Sequence, residues 1–96
     1  MVSQLELIKR KAIPVLQKYH VKKAGIFGSY ARGKQKRNSD VDFLIEINDQ
    51  KMSLLGFIHI KHELENVLGK KVDLVEYKLL RSEIREKVAA EEVAVL

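Results

Sequence analysis

The chain has 96 residues, 46% hydrophobic and 32% charged, which reads as a single globular domain over 1–96 with a modest core and little area for a second lobe. It contains no cysteine, so disulfides, thiolate metal sites and thiol catalysis are excluded; no apolar run is long enough for a membrane span and no signal-peptide segment opens it, so a cytoplasmic protein is expected. The net charge of +5 is uneven: residues 1–39 carry ten basic side chains and one acidic, residues 40–96 eight basic and twelve acidic, which points to one side that attracts phosphate groups.

In chain order, Leu5, Ile8, Ala12, Val15, Leu16 and Tyr19 recur at helical spacing and predict an amphipathic helix over 3–19. Pro14 inside it removes one backbone hydrogen bond and predicts a kink. Residues 22–27 read as a short buried strand. GSYARG at 28–33 reads as a glycine-bounded turn, with room for a helical turn starting near Ser29, and 34–39 as an exposed polar loop. Residues 41–47, VDFLIEI, read as a strong strand, followed by a turn at Asp49 to Lys51. Ser53 is placed to cap a helix carrying Leu54, Phe57, Ile58, Lys61, Leu64 and Leu68, with Gly69 ending it. Residues 71–76 read as a third strand, and Ser82 as the cap of a last helix to about 92. The apolar tail VAVL reads as a short strand or as a surface for a partner. Strands interleaved with helices predict an α/β (α+β) fold, one small mixed sheet with helices packed against it.

Asp40 and Asp42 stand two residues apart at the entry to the second strand, so both carboxylates share one face, about 7 Å apart between Cα atoms. Val41, Phe43 and Ile45 then point into the core. Two carboxylates on one face repel unless a cation lies between them, and Mg²⁺ takes carboxylate, water and phosphate oxygens together. Asp73 is a third carboxylate inside an otherwise apolar strand, costly if buried unpaired. If the third strand neighbours the second, the three can hold two Mg²⁺ ions about 3.5–4 Å apart, the spacing used in phosphoryl transfer. Upstream, Gly28 allows close approach of a phosphate to the backbone, and Ser29 offers a hydroxyl and an amide.

Gly28-Ser29, ten residues, then Asp40-Val41-Asp42 resembles the nucleotidyltransferase signature of the DNA polymerase β superfamily. The longer string GSYARGKQKRNSDVDFLIE closely resembles the minimal nucleotidyltransferase (MNT) family, and the resemblance runs over nearly the whole chain. It implies transfer of a nucleoside monophosphate, AMP from ATP, to a hydroxyl with release of pyrophosphate. Gly28 and Ser29 are then the triphosphate-binding pair, Asp40 and Asp42 the metal ligands, and Asp73 the third ligand and activator of the incoming hydroxyl. The resemblance also implies a helical partner of the HEPN class, an RNase toxin that the MNT protein neutralises, in some pairs by adenylylating a tyrosine. The chain has no length left for a domain that binds the acceptor, so the acceptor is expected to be small or brought by a partner, which favours a protein acceptor.

Other residues carry weaker signals. Arg32 can meet a phosphate, as a nucleotide-binding residue, or brace the loop by pairing with an acidic group. Lys9, Arg10, Lys11, Lys18, Lys22 and Lys23 read as solvated surface, and Lys34, Lys36 and Arg37 as a mobile solvated loop. Asp73 has a plain alternative, an ion pair with Lys70 or Lys71. His59, His62 and Glu63 have helical spacings compatible with zinc, but no further ligand at suitable spacing, so they read as a solvated helix face. Tyr19, Tyr30 and Tyr77 read as packing residues. Two other functions remain open: an antitoxin that works by masking its partner, docking through the apolar stripes of the first and last helices and the tail, alone or as a homo-oligomer, and an RNA-binding or RNA-directed transferase. The last is disfavoured because aromatic residues do not interleave with the basic ones as a stacking platform requires.

Overall fold

A computed structural model describes residues 3–47 and 52–96. The elements follow in the order α1 (Gln4–Lys18), β1 (Val21–Phe27), α2 (Gly28–Ala31), β2 (Val41–Ile47), α3 (Leu54–Leu68), β3 (Val72–Glu76), a 3-10 turn (Tyr77–Leu79), α4 (Ser82–Glu91) and β4 (Val93–Ala94). The turn expected at Asp49 to Lys51 lies outside the described residues.

The sheet order is β3-β2-β1-β4. β1 runs antiparallel to both β2 and β4, whereas β2 and β3 are parallel, joined by the α3 crossover. Side chains alternate across β2. Val41, Phe43 and Ile45 are fully buried on one face, together with Ala24 and Ile26 of β1 and Val72 and Leu74 of β3. Helices α1 and α3 cover that face with Ile8, Ala12, Val15 and Leu16 from the first and Ile60 and Leu64 from the second. The opposite face carries Asp42 and Asp73, with Leu44 buried between the ends of β2 beside Gly25 and Val75.

Local signals account for most helix boundaries. Ser3 caps α1 by accepting from the Glu6 amide at 3.1 Å, and Ser53 caps α3 by accepting from the Gly56 amide at 3.1 Å. Gly69 ends α3 in the left-handed conformation, φ 64°. The α1 helix runs unbroken through Pro14, which lies on the exposed side where water can take the carbonyl left unpaired.

Several expectations need correction. The core side of α3 is formed by Phe57, Ile60, Leu64 and Leu68; of the residues named from the sequence, Leu54 is 77% exposed, and Ile60, which was not named, is fully buried. Positions 57, 60, 64 and 68 keep the 3- and 4-residue steps of a helix. Ser82 is the first helical residue of α4 rather than its cap; Arg81 holds the cap position without a side-chain bond. The α4 helix has no buried residue, and the 3-10 turn after β3 carried no sequence signal. The tail resolves as a strand: Val93 pairs with Ile26 and Ala94 with Gly25, and Val95 is buried.

Candidate active site

The site grows from the adjoining ends of three strands. β1 ends at Phe27, whose register partner is Asp42, and the chain turns at once into α2. Gly28 takes φ +73°, and a Cβ there would run into the Asp42 carboxylate. Both facts require glycine: the conformation disfavours a side chain, and the space belongs to Asp42. Ser29 follows, half-buried in the first turn of α2. Its carbonyl accepts from the Lys34 amide at 2.9 Å, which closes the turn into the basic loop.

Asp42 pairs in register with Asp73 of β3. Residues opposed in a parallel pair project to the same face, so the third-strand carboxylate joins the second-strand one as the spacing allowed. Asp40 stands just before β2. Its position is pinned by the Val41 amide, which donates to the Lys71 carbonyl at 2.9 Å, and by a turn in which the Lys36 amide donates to Ser39 Oγ at 2.7 Å. Asp40 and Asp73 are exposed, and Asp42 is half-buried.

The electrostatics centre on Asp42. Burial, then the charges of Asp73 and Asp40, push its carboxyl above the usual aspartate range, and Arg32 pulls the other way. The excess of negative charge is thus concentrated where the three strand ends meet. Among the described residues no group of three or more Asp, Glu, His or Cys side chains is placed to hold a metal ion, so the three carboxylates expected to share the metal are not drawn together here. Asp73 lies exposed on the edge strand β3, so it carries no burial cost, and among the described residues it makes no ion pair with Lys70 or Lys71.

The remaining sequence candidates separate cleanly. Arg32 ends α2, forms an exposed ion pair with Glu91 of α4 at 3.4 Å, and still acts on Asp42 through space. Tyr30 is buried in the core, with Lys70 Nζ 5.9 Å from its ring centre. Glu63 is a brace: it accepts from Lys18 Nζ at 2.8 Å and Tyr19 Oη at 2.9 Å, tying α1 to α3. A polar cluster that the sequence did not reveal lies farther along the carboxylate-bearing face. There the Tyr77 hydroxyl donates to Glu92 above Gly25, and Lys23 Nζ sits 5.0 Å from the Tyr77 ring centre. Only a glycine at 25 leaves room for that pair, since a Cβ would meet the Glu92 carboxylate and come within 3.3 Å of Tyr77 Oη.

A Methanocaldococcus jannaschii protein named as a candidate protein adenylyltransferase is 49% identical over 89 residues, covering 93% of this chain and 95% of its own. The protein adenylyltransferase MntA of Thermococcus cleftensis is 43% identical over 79 residues, covering 82% of this chain and 79% of its own. A solved minimal nucleotidyltransferase superposes with a TM-score of 0.81 at 29% identity, over 97% of this chain and 95% of that one. A chain of a toxin–antitoxin complex crystallised with AMP-PNP superposes with a TM-score of 0.79 at 24% identity, over 92% of this chain and 72% of that one, and shares its fold. The pattern of the polymerase β nucleotidyltransferases matches residues 10–96, and with the strand-end carboxylates and the glycine notch in place, the chain belongs to that family.

Proposed function

We propose that the chain transfers AMP from ATP, with Mg²⁺, to a tyrosine hydroxyl of a HEPN-type toxin partner, and so acts as an antitoxin. The observation that carries this reading is the notch at Gly28, which sets the backbone of the β1–α2 turn directly against Asp42, itself in register with Asp73. A triphosphate held at Gly28 and Ser29 then lies beside the carboxylates. The relatives named as protein adenylyltransferases, matched over most of both chains, support the reaction class. The toxin–antitoxin complex with AMP-PNP supports the partner and the nucleotide.

The donor set fits Mg²⁺. Asp40, Asp42 and Asp73 offer hard oxygens, and the charge crowded on Asp42 needs a counter-charge. Mg²⁺ commonly uses one or two carboxylates and completes its shell with water and substrate phosphate, so an open set suits it better than a cage. When bound, the ion neutralises charge on the phosphates and on the leaving pyrophosphate. The protein's own groups do the rest. Gly28 and Ser29 bind the triphosphate, Arg32 adds a positive charge at the end of α2, and Asp73 orients the incoming hydroxyl and takes its proton. The hydroxyl oxygen bonds to the α-phosphorus as the bond to the β-phosphate bridge breaks.

The test is label transfer from α-labelled ATP to the partner protein with Mg²⁺, comparing wild type with Asp42→Ala. Label on the partner with wild type alone is expected. Equal label with Asp42→Ala overturns the assignment of the site. No label, with the partner still neutralised in a tight complex, favours masking over transfer.

A further inference from the structure

The Lys71–Val72 peptide is held from both sides. On the sheet side its carbonyl accepts from the Val41 amide at 2.9 Å. On the outer side its N–H donates to Glu65 Oε2 of α3 at 3.0 Å. β3 is an edge strand, so no neighbouring strand is available to that N–H.

Both ends of this peptide bear on the site. Val41 stands between Asp40 and Asp42, and Val72 immediately precedes Asp73. The register that pairs Val41 with Val72 also pairs Asp42 with Asp73. One peptide plane therefore joins the backbone segments that carry all three carboxylates, and Glu65 fixes its outer end. Asp73 is exposed and sits second in a strand of five residues, with a neighbour on one side only. A shift at this strand end changes its separation from Asp42, and a misplacement of about 1 Å in a catalytic group costs about 100-fold in rate.

Glu65 is itself anchored. Its own carbonyl accepts from the Gly69 amide at 2.8 Å, and Gly69 reverses the chain with φ 64°. That reversal brings Val72 back past the helix end to the Glu65 side chain. Glu65 is half-buried, and among the described residues its carboxylate makes no ion pair and no other hydrogen bond. A bond from a backbone N–H to a carboxylate is stronger than one between neutral groups. Bonds in a row, Val41 to Lys71 and Val72 to Glu65 across one peptide, also polarise one another. Water would satisfy the same edge amide, but it would not tether β3 to α3.

We propose that Glu65 is a positioning residue for nucleotidyl transfer: through the Lys71–Val72 peptide it sets Asp73 relative to Asp40 and Asp42. It acts on the backbone of β3, not on the nucleotide or the acceptor. This rests on the reading of Asp73 as the group that receives the acceptor's proton.

Two conservative variants separate reach from charge. Glu65→Gln keeps the length and an accepting oxygen but loses the charge. Glu65→Asp keeps the charge but is one methylene shorter, and loses the Val72 amide. The full chain is assayed with its HEPN-type partner, ATP and Mg²⁺, below the melting temperature of every variant. In Glu65→Gln, kcat stays within about threefold of wild type. In Glu65→Asp it falls at least about tenfold. KM for ATP stays within about twofold in both. Glu63→Gln, which loosens α3 from α1 instead, keeps kcat within about twofold. Equal kcat in the two Glu65 variants overturns the proposal, as does a loss confined to Glu65→Gln. A rise in KM for ATP assigns Glu65 to nucleotide binding and overturns it. A matching loss in Glu63→Gln reduces Glu65 to a helix brace and also overturns it.

Amide NMR on the chain alone separates this proposal from the enzymatic reading. The Val72 amide exchanges slowly in wild type and Glu65→Gln and about tenfold faster in Glu65→Asp. The Ile45 amide, inside β2, stays protected in all three. The Asp73 amide resonance moves in Glu65→Asp alone. If wild type labels no acceptor, the adenylyltransferase reading fails by itself, and exchange and shift decide whether Glu65 sets Asp73. Val72 exchange and an Asp73 resonance that are unchanged in Glu65→Asp overturn the proposal.

Discussion

The Asp42 carboxylate occupies the space that a side chain at position 28 would fill, and Gly28 meets it in a backbone conformation, φ +73°, that disfavours any side chain. The β1–α2 turn and the Asp42 carboxylate are thus parts of one packing arrangement. Gly28→Ala is expected to cost about 1–2 kcal/mol from conformation alone and to displace Asp42 as well. Transfer falls to background, and thermal unfolding moves to lower temperature. Adding Asp42→Ala to Gly28→Ala removes the collision, so part of the lost stability returns while transfer does not. A Gly28→Ala enzyme with normal transfer contradicts this arrangement.

Asp42 also sets a pH dependence. Its folded pKa lies above that of the unfolded chain, because of burial and the Asp73 and Asp40 charges. The folded state then holds its proton more tightly, so stability falls as pH rises from the usual aspartate value through the raised one, and the penalty persists at neutral pH. Asp42→Asn removes it. The gain stays below about 1 kcal/mol because solvent screens a half-buried group. The expected result is a melting temperature at pH 7 higher by a few degrees, a difference that vanishes in acid, and transfer reduced at least about 100-fold, a barrier of about 2.7 kcal/mol. Melting curves across pH 3–7 and the label assay check both halves.

Arg32 and Glu91 separate bracing from nucleotide binding. Their ion pair is exposed and 3.4 Å long, so it contributes under about 1 kcal/mol. Glu91→Gln is expected to leave KM for ATP within about twofold. Arg32→Ala is expected to raise it about tenfold, as loss of a charge-assisted phosphate contact does. Steady-state kinetics with both variants decides; equal effects assign Arg32 to bracing.

The Lys18–Glu63–Tyr19 cluster predicts an acid-sensitive clamp. Hydrogen bonds from Lys18 and Tyr19 lower the Glu63 pKa. Its contribution is therefore present above the usual glutamate value and is lost as pH falls through the lowered one. Glu63→Gln should lower the melting temperature slightly at pH 7, with no difference from wild type in strong acid or in 1 M salt. Zinc should alter neither protein's melting, since Glu63 already serves α1 and α3.

Local order and tertiary order contributed differently to what could be read in advance. Helix caps, the period-2 pattern of β2, the Gly28-Ser29 pair and the Asp40-x-Asp42 spacing depend on residues a few positions apart. Backbone geometry alone places them, so the sequence by itself determined the element order, the close spacing of Asp40 and Asp42 and, by resemblance, the family. Asp73 was different: its partner lies across the α3 crossover, and only the parallel register of β2 and β3 set it opposite Asp42. The burial of Ile60 and the exposure of Leu54 on α3 were decided by packing. The glycine notch against Asp42 and the Tyr77–Glu92 pair over Gly25 each join segments far apart in the chain. Long-range contacts of this kind leave no periodicity in the sequence, and the tertiary structure alone decided them.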